Sequence, residues 1–185
     1  YFQSSVIDFD KDRSDRSTYK LLGGSIGFYG STLNTRQYAT KGYLEKLIAQ
    51  VFTGRERFEP GNPQEGYSPS PQERQSWLQI SYMKEAYHTM GPKFTLGWMA
   101  EALYSSKNFS ENYTATMMQA GEFAPTPHSK LMYNEAFRAN QYVAAGIKPI
   151  YVLNDMFQFR TEFYGFTPIF PIKKNALNKA YYGKA

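Results

Sequence analysis

A serine flanked by glycines is the first feature of this chain that could perform chemistry. Residues 23–27 spell G-x-S-x-G, the pattern that exposes a nucleophilic serine on a sharp strand-to-helix turn in serine hydrolases. The residues after Ser25, 28–33, favour a strand rather than a helix. A catalytic triad would also need a histidine, and the sequence holds only His88 and His128. We therefore interpret this segment as a glycine-rich strand that can bend.

Three glutamates, Glu85, Glu101 and Glu162, could supply the paired carboxylates of glycoside hydrolysis. The sequence places no two of them at the separation that this chemistry requires. Each lies opposite the apolar positions of its segment, which fits a wet wall better than a catalytic pair. His88 and His128 have no further histidine, cysteine or acid pair at ligand spacing. The sequence therefore predicts neither a metal site nor a cofactor.

The composition favours sheets that have one apolar and one wet face. Aromatic residues make up 17% of the 185 residues, although the mean hydropathy is a polar -0.57. No cysteine is present, which excludes a disulfide framework and a thiolate metal site. The net charge of +5 comes from scattered basic residues. This pattern is typical of a solvated surface and does not predict nucleic-acid binding.

Alternation of apolar and polar residues predicts several strands. Leu78, Ile80 and Tyr82 share one face of their segment, and Phe94 begins a second alternating run. The short break 90–93 between these runs predicts a hairpin. We predict strands over about 17–33, 42–58, 74–90, 93–106, 113–119 and 156–167, with a long loop over about 120–155.

The lengths of these segments suit a membrane barrel better than a membrane helix. No run approaches the ~20 consecutive apolar residues of a spanning helix, whereas tilted strands of ~9–11 residues cross a bilayer. The break 59–71 is long and polar, as loops facing outside are, and Gly91–Pro92 is tight, as periplasmic turns are. By itself, the segment 43–52 also has the spacing of an amphipathic helix, with Leu44, Leu47, Ile48 and Val51 on one side.

Residues 123–168 carry a resemblance to a known family. They contain Phe137–Asn140 on a predicted loop and, about twenty residues later, Phe159–Phe163, a strand-like run that leads to Thr167–Pro168. This arrangement resembles the late barrel region of the surface-antigen superfamily, the outer-membrane assembly and secretion barrels. The nearest resemblance is to barrels fused behind patatin-like phospholipases in Bacteroidetes-type bacteria, and it covers nearly the whole chain.

The resemblance implies one pair of site residues and one strand entry. In the family a loop arginine meets an acidic residue of an inner wall strand, which implies that Arg138 pairs with Glu162 and locks the loop. Ala139 and Asn140 stand where the family has glycine and an aromatic residue. Residues 34–42 are similar to the family's N-x-x-x-Y-P-T-x-G strand entry, with Ala39 in place of proline. On this basis, segment 43–52 is predicted to be a strand, and the helix-compatible segment 133–145 is placed in the loop.

The fold expected from these observations is all-β: an antiparallel meander forming a partial arc of a transmembrane β-barrel, with a long inserted loop. Residues 1–4 resemble the remnant of an expression tag, and 5–185 form the partial barrel. The resemblance implies a bacterial outer-membrane segment that anchors or translocates an attached patatin-like lipid acyl hydrolase and performs no chemistry itself. The expected partners are membrane lipid, the attached domain, and a second copy that pairs through open sheet edges.

Two alternatives stay open at this point. A soluble β-barrel or sandwich that binds an apolar ligand would have a closed sheet and an inward apolar face. An enzyme would have a pocket around Ser25 or around two carboxylates. The membrane interpretation requires the opposite arrangement of the sheet, with apolar side chains outward and Glu, Arg and Gln inward.

Overall fold

Long antiparallel strands account for most of the chain. The computed structural model describes residues 2–5, 15–61, 73–154 and 157–183. Their elements in chain order are β1 (Phe2–Ser5), β2 (Arg16–Ser31), β3 (Gly42–Glu59), β4 (Glu73–Thr89), β5 (Phe94–Ser105), α1 (Tyr113–Gln119), β6 (Gly121–Glu122), the 3-10 turns Ser129–Leu131 and Glu135–Phe137, β7 (Arg138–Ala139), β8 (Gln141–Val152), β9 (Gln158–Arg160), β10 (Phe163–Pro168), β11 (Ile172–Lys174) and β12 (Ala180–Tyr182).

The main sheet is an open meander. Its strand order is β1-β2-β3-β4-β5-β8-β10, and β9 pairs with β8 beside β10. All of these pairings are antiparallel. β1 and β10 lie at opposite edges and do not pair with each other. The predicted antiparallel meander is confirmed, and the sheet is open, which is consistent with a partial arc. That residues 1–4 derive from a tag stays a prediction.

The segment with helical spacing is a strand. β3 pairs with β2 from Leu44 to Glu59 and with β4 from Gly42 to Glu56. Two paired edges satisfy its backbone groups over this length, so tertiary pairing prevails over the local helix propensity. Entry into β3 depends on Gly42, which has a φ of +91° and would bring any Cβ against the carbonyl group of Thr32. Only glycine combines this conformation with so close an approach.

The predicted strand 113–119 is wrong, because these residues form α1. Asn112 caps the helix: its side-chain oxygen accepts hydrogen bonds from the backbone nitrogens of Thr114 and Ala115. Asparagine is among the preferred residues at this position, and alanine and methionine are good helix formers. Ala115 and Met117 are buried, so one side of this short helix packs into the protein.

The predicted loop 120–155 is also wrong over much of its length, because it contains β8. This strand pairs with β5 on one side and with β9 and β10 on the other. Its residues alternate between buried and exposed positions. Lys148 and Pro149 obscured that alternation in the sequence, since proline is rare inside sheets and the inward position of Lys148 depends on a partner from another strand.

The predicted strand 156–167 forms two pieces, β9 and β10. Residue 156 lies outside the described residues. Arg160 lies opposite Ile150, and Phe163 lies opposite Ile147, so both pieces keep one register along β8. The backbone nitrogen of Thr161 donates to the carbonyl oxygen of Pro149 and bridges the two pieces.

The hydrophobic core lies on one face of the sheet, beneath the inserted segment 106–140. Phe123 of this segment is buried among residues of β5, β7 and β8, namely Met99, Leu103, Ala139, Tyr142 and Ala144. Its ring also stacks on Phe166 of β10, with 5.9 Å between the ring centroids. We call this covered side of the sheet the inner face and the opposite side the outer face.

Glycines of the inner face make room for tyrosines of the neighbouring strand. Gly146 lies opposite Tyr164, and a Cβ at Gly146 would clash with the Tyr164 ring and lie 3.0 Å from the carbonyl oxygen of Phe163. We expect Gly146→Ala to lower the free energy of unfolding by about 1–3 kcal/mol, because the crowding forces the ring and backbone to move. Chemical unfolding of the chain in detergent measures this loss.

Gly165 provides the matched control. It pairs with Ala145 on the outer face, and no atom lies within 4 Å of the Cβ that an alanine would add. Gly165→Ala should leave the unfolding midpoint nearly unchanged. Equal losses in both variants would contradict the role of the glycine–tyrosine contact.

Candidate functional site

The outer face of the sheet is apolar across six neighbouring strands. Residues that lie opposite one another in an antiparallel pair share a face. The registers therefore assign each paired position to the inner or the outer face. The outer face carries Leu22, Ile26 and Phe28 on β2, Leu47, Ala49 and Val51 on β3, Leu78, Ile80 and Tyr82 on β4, Phe94, Leu96, Trp98, Ala100, Ala102 and Tyr104 on β5, Val143, Ala145, Ile147, Pro149 and Tyr151 on β8, and Phe163 on β10.

Many of these side chains are exposed in the described part of the chain, and the others are half-buried. Ile26 is 77% exposed, Leu22 is 74% exposed, and Val51 and Phe163 are each 58% exposed. Contiguous apolar surfaces of this extent are rare on soluble monomers and mark contact with a membrane or with another protein. The outer face is therefore the first candidate functional surface.

The apolar band has the dimensions and the slant of a band on tilted strands. On β5 it reaches from Phe94 to Tyr104, which is ~34 Å along the strand at ~3.4 Å per residue. A tilt of about 40° reduces this to ~26 Å, close to the ~25 Å band of outer-membrane barrels. The edge of the band does not follow a single row of paired residues. In the row that joins Glu45 to Lys84, β3 and β4 are polar, but the same row is apolar on β5 and β8, at Ala100 and Ala145. A diagonal band is expected where strands tilt.

Aromatic residues gather where the outer face approaches the short turns of the sheet. This end of the sheet carries the connections 32–41, 90–93 and 153–157, and the opposite end carries 60–72 and 106–140. Membrane barrels carry girdles of aromatic residues at both interfaces, where Trp and Tyr combine an apolar ring with a polar group. The outer-face aromatics at this end are Tyr43, Phe94, Trp98, Tyr151, Phe159 and Phe163.

The inner face, in contrast, holds charged side chains in contact with one another. Lys148 of β8 donates to Glu85 of β4 at 2.9 Å, and the side chain of this lysine is 5% exposed. The Tyr87 hydroxyl donates to the same carboxylate. A charge buried to this degree requires a partner of this kind. Glu85, one of the three candidate carboxylates, therefore serves an ion pair that joins β4 to β8.

A second candidate carboxylate, Glu101, meets a tyrosine. The Tyr142 hydroxyl donates to Glu101 at 2.5 Å and lies 3.2 Å from the backbone oxygen of Glu122. Both residues lie on the inner face, on the paired strands β5 and β8. The contact ties the sheet to the inserted segment, since Glu122 belongs to β6.

Arg160 holds the turn 34–41 against the inner face. Its Nη2 donates to the carbonyl oxygen of Ala39 at 2.5 Å, and its guanidinium lies 5.6 Å from the ring centre of Tyr38 and 5.7 Å from that of Tyr87. Stacking of this kind is favourable because the ring faces are electron-rich. Tyr38 has a φ of 56°, the left-handed region that non-glycine residues rarely adopt.

Asn34 closes the same turn from within. Its side-chain oxygen accepts hydrogen bonds from the backbone nitrogens of Thr40 and Lys41, and its amide donates to the Thr40 hydroxyl at 3.0 Å. The residues that carry the strand-entry resemblance therefore each have a physical role here. Asn34 closes the turn, Tyr38 covers Arg160, and Gly42 supplies the backbone conformation.

The predicted pairing of Arg138 with Glu162 is not made. Arg138 Nη2 lies 2.6 Å from a carboxylate oxygen of Glu122. Glu162 instead contacts Arg160 at 3.5 Å and accepts a hydrogen bond from the Tyr164 hydroxyl at 2.7 Å. The reason is the register of the short ribbon β6–β7, in which Glu122 lies directly opposite Arg138.

Arg138 also caps the end of α1. Its Nη1 lies 3.3 Å from the carbonyl oxygen of Met117, 3.2 Å from that of Met118 and 3.3 Å from that of Ala120. These carbonyls lie at the C-terminal end of the helix, where a cation is favoured. Arg138 therefore joins α1 to β6 within the inserted segment instead of linking this segment to Glu162.

A cation of the inserted segment closes the far end of the inner face. Lys107 is buried, with its amine 4.8 Å from the ring centre of Trp77 and 5.6 Å from that of Tyr19. Burial lowers the pKa of Lys107 to about 8, although the negative charge of Glu56 opposes the shift. The Tyr19 hydroxyl in turn donates to Glu56 at 2.8 Å and lies 2.9 Å from the hydroxyl oxygen of Ser110.

Between the turn 34–41 and the inserted segment lies a cavity of about 500 Å³. Its wall combines acids, among them Glu85, Glu101 and Glu162, with the cations Lys148 and Arg160. Within this wall Lys148 pairs with Glu85, Arg160 pairs with Glu162, and Glu101 accepts a hydrogen bond from Tyr142. The three candidate carboxylates of this cavity therefore serve contacts with neighbouring side chains of the inner face.

The remaining chemical candidates are not assembled into a site. Ser25 lies in the middle of β2, opposite Gln50, and therefore not on a strand-to-helix turn. His88 lies on the outer face opposite Leu96, and His128 precedes a 3-10 turn in the inserted segment. Within the described ranges no cluster of three histidine, cysteine or acidic residues could hold a metal ion.

Sequence reasoning missed three of the residues that organise the inner face. Glu122 and Lys148 fell in the predicted loop, and Lys107 lay between predicted strands. A signal existed only for Arg160, which the alternation placed on a polar face with Glu162, opposite Phe159 and Phe163. The partners of Glu122, Lys148 and Lys107 lie on other strands and could not be derived from local patterns.

Comparisons with known proteins identify no relative. No family model matches the chain, and neither a curated protein nor a solved structure matches it. None of the helices in the described part of the chain has the length and apolar character needed to span a membrane.

A double-mutant cycle distinguishes the observed partner of Arg138 from the one that the sequence suggested. We expect Arg138→Ala and Glu122→Gln to be coupled by about 1–2 kcal/mol, because the two groups share one ion pair. Arg138→Ala and Glu162→Gln should be additive to within about 0.5 kcal/mol. The free energies of unfolding of the single and double variants provide both values. Coupling to Glu162 alone would contradict the structure.

Proposed function

We propose that this chain is an arc of a membrane-spanning β-barrel whose outer face contacts lipid. The observation that carries the proposal is the exposed apolar outer face, which extends over six neighbouring strands. The charged groups of the inner face on β4, β5 and β8 lie instead beneath the turn 34–41 and the inserted segment. Barrels that span membranes have this arrangement, since lipid contacts the outside and water or inserted loops fill the inside.

The arrangement disfavours the soluble alternative. A soluble barrel or sandwich directs its apolar positions inward and closes its sheet or packs it against a second one. Here the long strands form one open sheet, and β6–β7 and β11–β12 are separate two-stranded ribbons. Positions such as Ile26 and Ile147 are 77% and 52% exposed on the face away from the inserted segment. An apolar ligand inside the arc would meet Glu85, Lys148 and Arg160 instead.

The proposed role is to anchor or translocate an attached patatin-like lipid acyl hydrolase at the outer membrane of a bacterium. The support for the attached domain is the resemblance of residues 123–168 and 34–42 to barrels of that kind. The arc itself contributes no reaction, because Ser25 lies within a strand and the inner-face carboxylates serve ion pairs and tyrosine contacts.

Single cysteines on β2 test which face meets lipid. The chain contains no cysteine, so Ile26→Cys and Ser25→Cys each introduce one labelling site, on the outer and inner face respectively. After reconstitution into a phosphatidylcholine bilayer, a fluorescent label at position 26 should be quenched by brominated lipid. The label at position 25 should be quenched by aqueous iodide, because adjacent residues of a strand point to opposite faces.

The two labels are each other's control, since they lie on neighbouring residues and differ only in the face. Gly24 lies on the outer face, as Ile26 does. A label at Gly24→Cys should therefore again be quenched by brominated lipid. If iodide quenches positions 24, 25 and 26 alike in the presence of the bilayer, the outer face does not contact lipid and the proposed function is wrong.

The free edge of β2 gives the arc a site for self-association. β1 pairs with β2 only from Arg16 to Tyr19, and β2 continues to Ser31. Its remaining backbone groups on that side have no strand partner among the described residues, and such edges recruit further strands. We expect Ser25→Cys, near the middle of this edge, to form covalent dimers on oxidation.

Gln79→Cys is the control for this cross-link. Gln79 also lies on the inner face, but on β4, which has a strand on each side. It should remain unlinked under the same conditions. Light scattering that shows only monomers of the wild-type chain at micromolar concentration, together with no cross-link at position 25, would contradict edge pairing.

A further inference from the structure

Three cations form a row on the outer face at the end of the sheet that carries the long connections. Lys20 of β2 lies opposite Arg55 of β3, and Arg55 lies opposite Arg74 of β4. Neighbouring strands are ~4.8 Å apart, so the three positions span ~10 Å across the sheet. All three residues are exposed. We call them the cation row.

No acid neutralises the cation row among the described residues, whereas other outer-face cations are paired. Arg57, one outer position farther along β3, lies 3.0 Å from Glu59. Lys84, at the opposite end of the sheet, lies 3.7 Å from Glu45. Like charges directly opposite one another in a sheet are destabilising. The cation row is therefore a position at which a bound anion would relieve repulsion.

The surface beside the cation row is concave. A cavity of about 760 Å³ is lined by Lys20, Arg55 and Arg74 and by Leu22 and Thr53 of the next outer row. The residues that alternate with them along β2 and β3, Tyr19, Leu21 and Gly54, complete the lining. Guanidinium groups match a phosphate in geometry, because their planar fork of N–H donors forms two parallel hydrogen bonds. Two arginines and a lysine around one cavity suit a phosphate group.

Below the cation row, the outer face changes from polar to apolar. The next row holds Leu22, Thr53 and Ser76, and the hydroxyl oxygens of Thr53 and Ser76 are 2.8 Å apart. The rows after that bring Val51 opposite Leu78, and Ile26 and Ile80 on either side of Ala49. Charge, hydroxyl and hydrocarbon thus follow one another in the order of a lipid's phosphate, its ester region and its acyl chains.

We propose that the cation row and the apolar rows beneath it bind a lipid whose headgroup carries an anionic phosphate. This inference rests on the proposed function, because it requires the outer face to contact a bilayer. It commits to a lipid rather than a free phosphate, since Val51, Leu78 and the two isoleucines continue the site along the direction in which acyl chains extend. The lipid belongs to the leaflet at the end of the long connections 60–72 and 106–140.

Competition between two lipids tests the proposal. The whole chain is reconstituted into bilayer discs of phosphatidylcholine that contain a minor fraction of phosphatidic acid. Native mass spectrometry after release from the discs then counts the lipids that stay bound. The wild-type chain should retain phosphatidic acid preferentially. The triple variant Lys20→Gln, Arg55→Gln, Arg74→Gln should lose about a hundredfold in this preference, since each cation near an anionic lipid surface contributes about fivefold.

Arg57→Gln is the matched control, because it removes a cation of the same end of β3 that Glu59 already neutralises. It should keep the wild-type preference. If the triple variant does not insert, Arg55→Gln alone decides, with an expected loss of about fivefold. Retention of the preference in the triple variant, or in Arg55→Gln where that variant decides, would overturn the proposal.

The remaining outcomes separate this proposal from the proposed function. Insertion of the wild-type chain without a preference for phosphatidic acid would overturn the lipid site and leave the membrane arc intact. Displacement of phosphatidic acid by dilute inorganic phosphate would also overturn it, because the site would then take a soluble anion. If the wild-type chain remains outside the bilayer, and its label at position 26 is quenched by iodide, both proposals are wrong.

Discussion

The structure depends on one constraint: the charged face of its main sheet must be satisfied by the chain itself. Lys148 and Glu85 neutralise each other directly, through an ion pair between β4 and β8. The rest comes from segments that fold over this face, the turn 34–41 and the insertion 106–140. A buried charge without a partner costs several kcal/mol. The turn 34–41 and the insertion 106–140 therefore contribute to the stability of the fold.

Arginine joins elements that are far apart in the chain. Arg160 reaches the backbone of Ala39, which is 121 residues away, and Arg138 brings the end of α1 together with Glu122. A guanidinium group suits this role because it stays charged and offers several donors in a fixed plane. The inner face is thus fastened at two places, one for each covering segment.

The outer face differs in that its contacts are pairs between its own residues, such as Arg57 with Glu59 and Lys84 with Glu45. The type of residue on this face changes with its position along the strands. Aromatic side chains such as Trp98 and Phe163 lie toward the short turns. The cations Lys20, Arg55 and Arg74, which meet no acid in the described part of the chain, lie toward the long connections. This order of residue types matches the order of layers across a lipid bilayer. Both the proposed membrane arc and the proposed lipid site depend on that match.

Local patterns were sufficient where one face of a strand differs from the other in polarity. The alternation in 74–90 and 93–106 predicted β4, β5 and their hairpin, because successive side chains of a strand point to opposite faces of the sheet. The same argument failed for 113–119, where the cap by Asn112 and the helix propensity of alanine and methionine prevailed. It failed again in β8, where Lys148 faces inward against a distant glutamate.

The sequence by itself determined the all-β class, the meander of long strands and the inward placement of Glu85, Glu101 and Glu162, since periodicity is a property of neighbouring residues. Only the tertiary structure decided which charges meet. Arg138 pairs with Glu122 rather than Glu162 because the β6–β7 register places Glu122 opposite it. Residues distant in sequence are brought into contact by the pairing of strands, and that pairing is a property of the whole sheet.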